Sequence, residues 1–109
     1  MKINNRIIEL NFLNFEIQIQ KGIVLVDFWA EWCQPCKIQD SIINDLLNDL
    51  PKNLILAKLN IDDNRFLAQQ YSVRNIPTMI LFKDGIEVER LYGIQAKETL
   101  ISIFDKHLK

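Results

Sequence analysis

The chain is short of several things. Its 109 residues include only three glycines, three prolines, two cysteines and one histidine. With so little glycine and proline, there is no collagen-like or low-complexity tract, and no Gly/Pro/Ser-rich linker divides the chain. No internal repeat is visible. No apolar run approaches the ~20 residues a spanning helix requires, so no membrane insertion is expected. Charge of one sign is also missing: 13 Lys and Arg against 14 Asp and Glu give a formal net charge of -1. Without a basic run the chain lacks the electrostatic footprint of a nucleic-acid binder. Met1 to Arg6 is polar and leads into only a short apolar patch. It lacks the continuous apolar region and small-residue cleavage site of a signal peptide, so a soluble, cytoplasmic protein is expected.

What is present suits one globular domain spanning residues 1–109. Hydrophobic residues make up 49% of the chain and charged residues 25%. A chain of this length buries roughly 60–70% of its unfolded surface, enough for one core without covalent staples. Two thiols are therefore not needed for stability. They are too few for a structural zinc site, which takes four ligands, and His107 lies far off in sequence; no metal site is expected. Redox chemistry or two inert buried thiols remain, and spacing decides between them.

Ile23 to Trp29 is a continuous β-branched and apolar run broken only by Asp27, the mark of a strand buried on both faces. Leu54 to Leu59 reads the same way. Between them Ile38, Ile42, Ile43, Leu46, Leu47 and Leu50 recur at helical spacing until Pro51 stops the helix. Two such strands around a helix form a βαβ unit, with parallel strands and a right-handed crossover. A short helix is expected from about Asn64 to Gln70, with Asp62 or Asp63 available as its cap. Thr78 to Phe82, the turn Lys83-Asp84-Gly85 and the alternating Ile86 to Tyr92 predict a β-hairpin. Leu100, Ile101, Ile103, Phe104 and Leu108 mark a C-terminal helix whose negative end Lys106, His107 and Lys109 complement. His107 is read as an exposed helix-end residue. Phe15, Ile17 and Ile19 alternate with polar residues like a strand, whereas Phe12, Phe15 and Ile19 fit one helical face. The sum is an α/β fold with a mixed sheet, parallel in its first half and hairpin-built in its second.

Cys33-Gln34-Pro35-Cys36 falls where the strand ending at Trp29 hands over to the helix. Residues i and i+3 at a helix start lie about 5–6 Å apart, within reach of a disulfide. The helix N-terminus favours an anion, so the Cys33 thiolate is expected to be stabilised, with Lys37 adding a nearby positive charge. Pro35 suits the first helical turn. Asp27, alone in its apolar run, is expected to be desolvated with a raised pKa, which fits it to accept a thiol proton. Lys58, alone in the neighbouring strand, is either the charge partner of Asp27 or a snorkelling surface lysine. Pro77 opens a strand, where proline is tolerated, and the general preference of X–Pro bonds is trans. Trp29 is read as a packing residue under the Cys33–Cys36 loop.

Val26-Asp27-Phe28-Trp29-Ala30-Glu31-Trp32-Cys33-Gln34-Pro35-Cys36-Lys37 closely resembles the active-site segment of thioredoxins. The resemblance continues in Ala57 to Asp62, Ile76-Pro77-Thr78, Leu81 to Gly85 and Gly93. It implies a thioredoxin fold: a central sheet of about five strands flanked by about four helices, with the ambiguous segment after Leu10 helical. It implies Cys33 as nucleophile, Cys36 as resolving thiol and Asp27 as a buried acid beneath it. A cis Ile76-Pro77 bond facing the cysteines and an apolar substrate rim of Trp32, Ile61, Ile76 and Gly93 also follow from it. Gln34 and Pro35, between the cysteines, would flank an incoming substrate. Gln34, Ser41, Ser72 and Asn75 depart from the family pattern, which carries glycine, proline, glycine and glycine there.

The expected function is a general protein disulfide reductase, most simply a monomer. It binds no cofactor itself; the resemblance implies a thioredoxin reductase as partner, using NADPH and FAD, with disulfide-containing proteins as targets. The alternatives are a disulfide oxidant or isomerase of the same fold, and a non-enzymatic binding subunit.

Overall fold

A computed structural model describes residues 7–108. Met1 to Arg6 and Lys109, with the expectations placed on them, lie outside the described residues. Five strands, β1 (Ile7–Glu9), β2 (Ile23–Trp29), β3 (Leu54–Asn60), β4 (Thr78–Lys83) and β5 (Ile86–Tyr92), form one sheet. Four helices, α1 (Phe15–Ile19), α2 (Gln34–Leu46), α3 (Arg65–Gln70) and α4 (Lys97–His107), accompany it. The sheet order is β1-β3-β2-β4-β5. β1 and β2 run parallel to β3, whereas β4 pairs antiparallel with both β2 and β5. The expected mixed sheet is thus present. The β2-α2-β3 unit forms its parallel part and the hairpin its antiparallel part.

Alternation along the strands assigns each side chain to a face. Val24, Val26 and Phe28 of β2, Ala57 and Leu59 of β3, and Ile80 and Phe82 of β4 pack with Phe15 and Ile19 of α1 and Leu67 and Ala68 of α3. Ile23, Leu25, Leu54, Leu56, Met79 and Leu81 pack on the other face with Ile43 and Leu46 of α2 and Leu100 and Phe104 of α4. By the same period, Asp27 and Lys58 project toward the α2 side. They are register partners on adjacent strands, with Met79 beside Asp27 on β4.

Several local expectations are corrected. β1 was not read from the sequence: three residues are too few to show a period. The segment after Leu10 is helical over Phe15–Ile19, with Phe15 and Ile19 inward and Ile17 outward as the helical face requires, but Phe12 is exposed. The Asn11 side-chain oxygen accepts from the backbone N–H groups of Leu13 and Asn14, turning the chain toward the helix. In α2 the inward stripe is Cys36, Gln39, Ile43 and Leu46, whereas Ile38 is exposed; a 3-10 turn (Leu47–Asp49) then leads to Pro51. Neither Asp62 nor Asp63 caps α3. Asn64 holds the N-cap position, and its side chain donates to Asn60 O. His107 is mostly buried, its Nε2 lying 2.8 Å from Glu89 Oε2, which also pairs with Lys106.

Asp84 and Gly85 have φ of 52° and 86°, the two left-handed residues a tight β-hairpin turn requires. Ser72 also adopts a positive φ, 56°, at one of the positions where the resemblance leads one to expect glycine. There the chain keeps the turn without the residue that adopts it most easily.

Candidate active site

The site forms where β2 ends. Trp29 O accepts from Ile61 N at 2.9 Å, tying the chain after β3 to the end of β2. One turn later Cys33 N donates to Ala30 O, and α2 begins with Cys33 at its N-cap. Gln34 and Pro35 occupy the first helical turn and are exposed. Cys33 and Cys36 are joined in a disulfide with a Cα–Cα distance of 5.3 Å. Cys36 N donates to Cys33 Sγ at 3.2 Å, so a backbone N–H of the helix N-terminus points at the first sulfur. That contact favours negative charge on Cys33. Both residues are buried, with Ala30, against Trp29, Ile61 and Ile76.

Of the rim residues the resemblance implies, Ile61 and Ile76 pack half-buried against this pair. The Ile76-Pro77 bond is cis, against the general preference and as the resemblance implies. Pro77 O accepts from Gly93 N at 2.9 Å, bringing the segment after β5 alongside the Ile76-Pro77 loop. Gly93 has φ of 75°, a conformation that admits glycine with least strain. Trp32 is 68% exposed, and its Nε1 donates to Asp62 Oδ2 at 2.9 Å. Asp62, read from sequence as a helix cap, thus holds the exposed indole.

Asp27 is 3% exposed, and its Oδ1 is buried without a hydrogen-bond partner. Burial pushes its pKa to about 7, against a lowering by Lys58 and with a further raising by Asp40. Lys58 is not bonded to Asp27. Its ammonium lies 2.7 Å from Asp40 Oδ1 and 4.7 Å above the Trp29 ring. Asp40 reaches solvent, whereas Asp27 sits where charge is disfavoured, so the cation takes the exposed carboxylate. Lys58, Asp40, Trp29, Cys36, Lys37 and Glu31 line one cleft of about 280 Å³.

Two polar residues of α2 went unnoticed in the sequence. One is Asp40. The other is Gln39, fully buried, whose Oε1 accepts from Gln95 N at 2.6 Å and whose Nε2 donates to Gln95 O at 3.1 Å. Gln39 thereby clamps the segment that follows Gly93 onto α2. Replacing it leaves the Gln95 backbone groups unpaired, which typically costs about 1–3 kcal/mol. Gln39→Leu is therefore expected to lower stability in urea unfolding by about that amount, and to speed hydrogen exchange at the Gln95 amide. Unchanged exchange there would show that the clamp is not maintained in solution.

Comparison with known proteins gives a consistent result. The Thioredoxin family model matches residues 6–106. A thioredoxin of Staphylococcus haemolyticus is 42% identical over 102 residues, covering 94% of this chain and 98% of the relative. One from Staphylococcus epidermidis is 41% identical over the same length. A solved mutant thioredoxin from Halobacterium salinarum superposes with a TM-score of 0.86 at 27% identity, covering 100% of this chain and 96% of that one.

Proposed function

The chain belongs to the thioredoxin family and is a thiol–disulfide oxidoreductase, and from that premise we propose that it acts as a general reductant of protein disulfides. The Cys33 thiolate attacks one sulfur of a target disulfide, forming a mixed disulfide and expelling the target's other sulfur as a thiolate. Cys36 gives its proton to the Asp27 carboxylate and attacks Cys33 Sγ. The mixed disulfide breaks, the second target sulfur leaves, and the Cys33–Cys36 bond closes. Two electrons have passed to the target.

The placement of the CxxC pair at the N-cap of α2, with the Cys36 amide directed at Cys33 Sγ, carries this reading. The direction of transfer rests on what stands between the cysteines. Extra stabilisation of the reduced form makes a CxxC disulfide more oxidising. Gln34 and Pro35 carry no charge with which to stabilise a Cys33 thiolate further. The target is held by the apolar face of Trp32, Ile61, Ile76, Pro77 and Gly93, with its extended chain pairing to the Ile76 backbone. A flavin-containing, NADPH-dependent thioredoxin reductase in the cytoplasm reopens the disulfide.

The reduction potential of the Cys33–Cys36 couple tests the direction. A reductant is expected below about -230 mV, whereas isomerases and oxidants lie near about -180 to -120 mV. A value in the upper range would overturn the reductase reading in favour of oxidant or isomerase work.

A further inference from the structure

Cys36 and Asp40 stand four residues apart on α2, one above the other on the same face. Across the cleft, Asp27 and Lys58 are register partners on β2 and β3. One ammonium group is therefore offered to two carboxylates, and it bonds the Asp40 carboxylate at 2.7 Å. The Lys58 chain is also steadied against the Trp29 ring, 4.7 Å from its ammonium. Asp27 Oδ1 is left buried without a hydrogen-bond partner.

We propose that Asp40 is a positioning residue for the reaction: by bonding the Lys58 ammonium it draws the register-paired cation away from Asp27, weakens that cation's hold on an Asp27 anion, and so sets how tightly Asp27 holds a proton. Two effects act in one direction. The Asp40 carboxylate adds negative charge near Asp27, and it holds the cation that would otherwise stabilise an Asp27 anion more strongly. Both make Asp27 a stronger proton acceptor, which suits a base that takes a thiol proton near neutral pH. The other groups around Asp27 do not duplicate this. Lys58 is the charge presented by β3, Met79 beside it on β4 does not titrate, and α2 presents Cys36 and Asp40. Glu31 and Lys37 line the outer cleft, with opposite charges.

The inference rests on the role proposed above for Asp27, but its test does not. Carbon-detected NMR of the oxidised protein, with labelled aspartate, follows the Asp27 carboxyl through its titration whether or not the protein reduces anything. Asp40→Asn is expected to lower the Asp27 midpoint by roughly one pH unit, and Asp40→Glu to restore most of it. In a Lys58→Gln background, Asp40→Asn is expected to produce no more than half that shift, because only the direct charge remains. An unchanged midpoint in Asp40→Asn overturns the proposal. So does an equal shift with and without Lys58, which would make Asp40 a bare charge acting independently of the lysine. An oxidising Cys33–Cys36 potential would instead overturn the reductase reading and leave the titration result standing.

Discussion

Cys36→Ser is expected to accumulate covalent complexes with target proteins, at least about tenfold above Cys33→Ser, because nothing remains to break the mixed disulfide. The asymmetry follows from the helix. Cys33 is the N-cap residue, and its sulfur accepts the Cys36 amide hydrogen. A thiolate there is stabilised by the free end of a thirteen-residue helix. Cys36 lies within the first turn, lining the cleft that Asp40 and Lys58 share. The stabilised thiolate is therefore expected to be the one that attacks an incoming disulfide, leaving Cys36 to resolve the mixed disulfide. Non-reducing gels of lysate passed over each immobilised variant, eluted with dithiothreitol, read the difference. Equal trapping by both variants, or by neither, sinks the assignment of nucleophile and resolving thiol. A partner held equally well when both cysteines are serine points to the binding-subunit alternative.

How legible this site was depends on which interactions each residue makes. The buried run of β2 and the CxxC pair could be read directly, because both are patterns within one local segment. The hairpin announced itself through Asp84-Gly85, whose positive φ values match what the turn demands. β1 gave no such signal, since its three residues take their place only by pairing with β3. The face of α2 was misjudged at Ile38, where an isoleucine was counted as core. The buried stripe runs through Cys36, Gln39, Ile43 and Leu46 instead. Spacing from Cys36 would have found Gln39, since three and seven residues on stand Gln39 and Ile43. A glutamine on such a stripe signals a buried amide with backbone partners, here both groups of Gln95. The partner of Lys58 was beyond local reading. Its choice between Asp27 and Asp40 turns on which carboxylate meets solvent, and that is known only when α2 lies over the sheet.

Asp27→Asn is expected to stabilise the oxidised protein at alkaline pH while slowing the resolution of mixed disulfides. The native pKa of Asp27 is about 7, against 3.8 for an unburied aspartate. Desolvation is the main cause, so the folded state binds this proton more tightly than the unfolded chain does. Below about pH 4 both states are protonated and the carboxyl's contribution is fully present. Between about pH 4 and 7 the unfolded chain has lost the proton and the folded chain keeps it, so stability declines as pH rises. Above about pH 8 both are ionised and the loss is complete, with a ceiling of about 4 kcal/mol. An asparagine cannot ionise, so the variant's advantage should grow from about pH 4 to 7 and level off above pH 8. The same substitution removes the proton acceptor for Cys36, and general-base assistance is typically worth ~10²–10⁴-fold, less for a thiol than for a hydroxyl. A stability difference that is flat from pH 4 to 9 would mean that Asp27 is not the buried, proton-retaining acid of the folded state. If instead the stability curve behaves as expected and resolution rates stay equal at every pH, the buried acid is real. Its proton then has no part in opening the mixed disulfide.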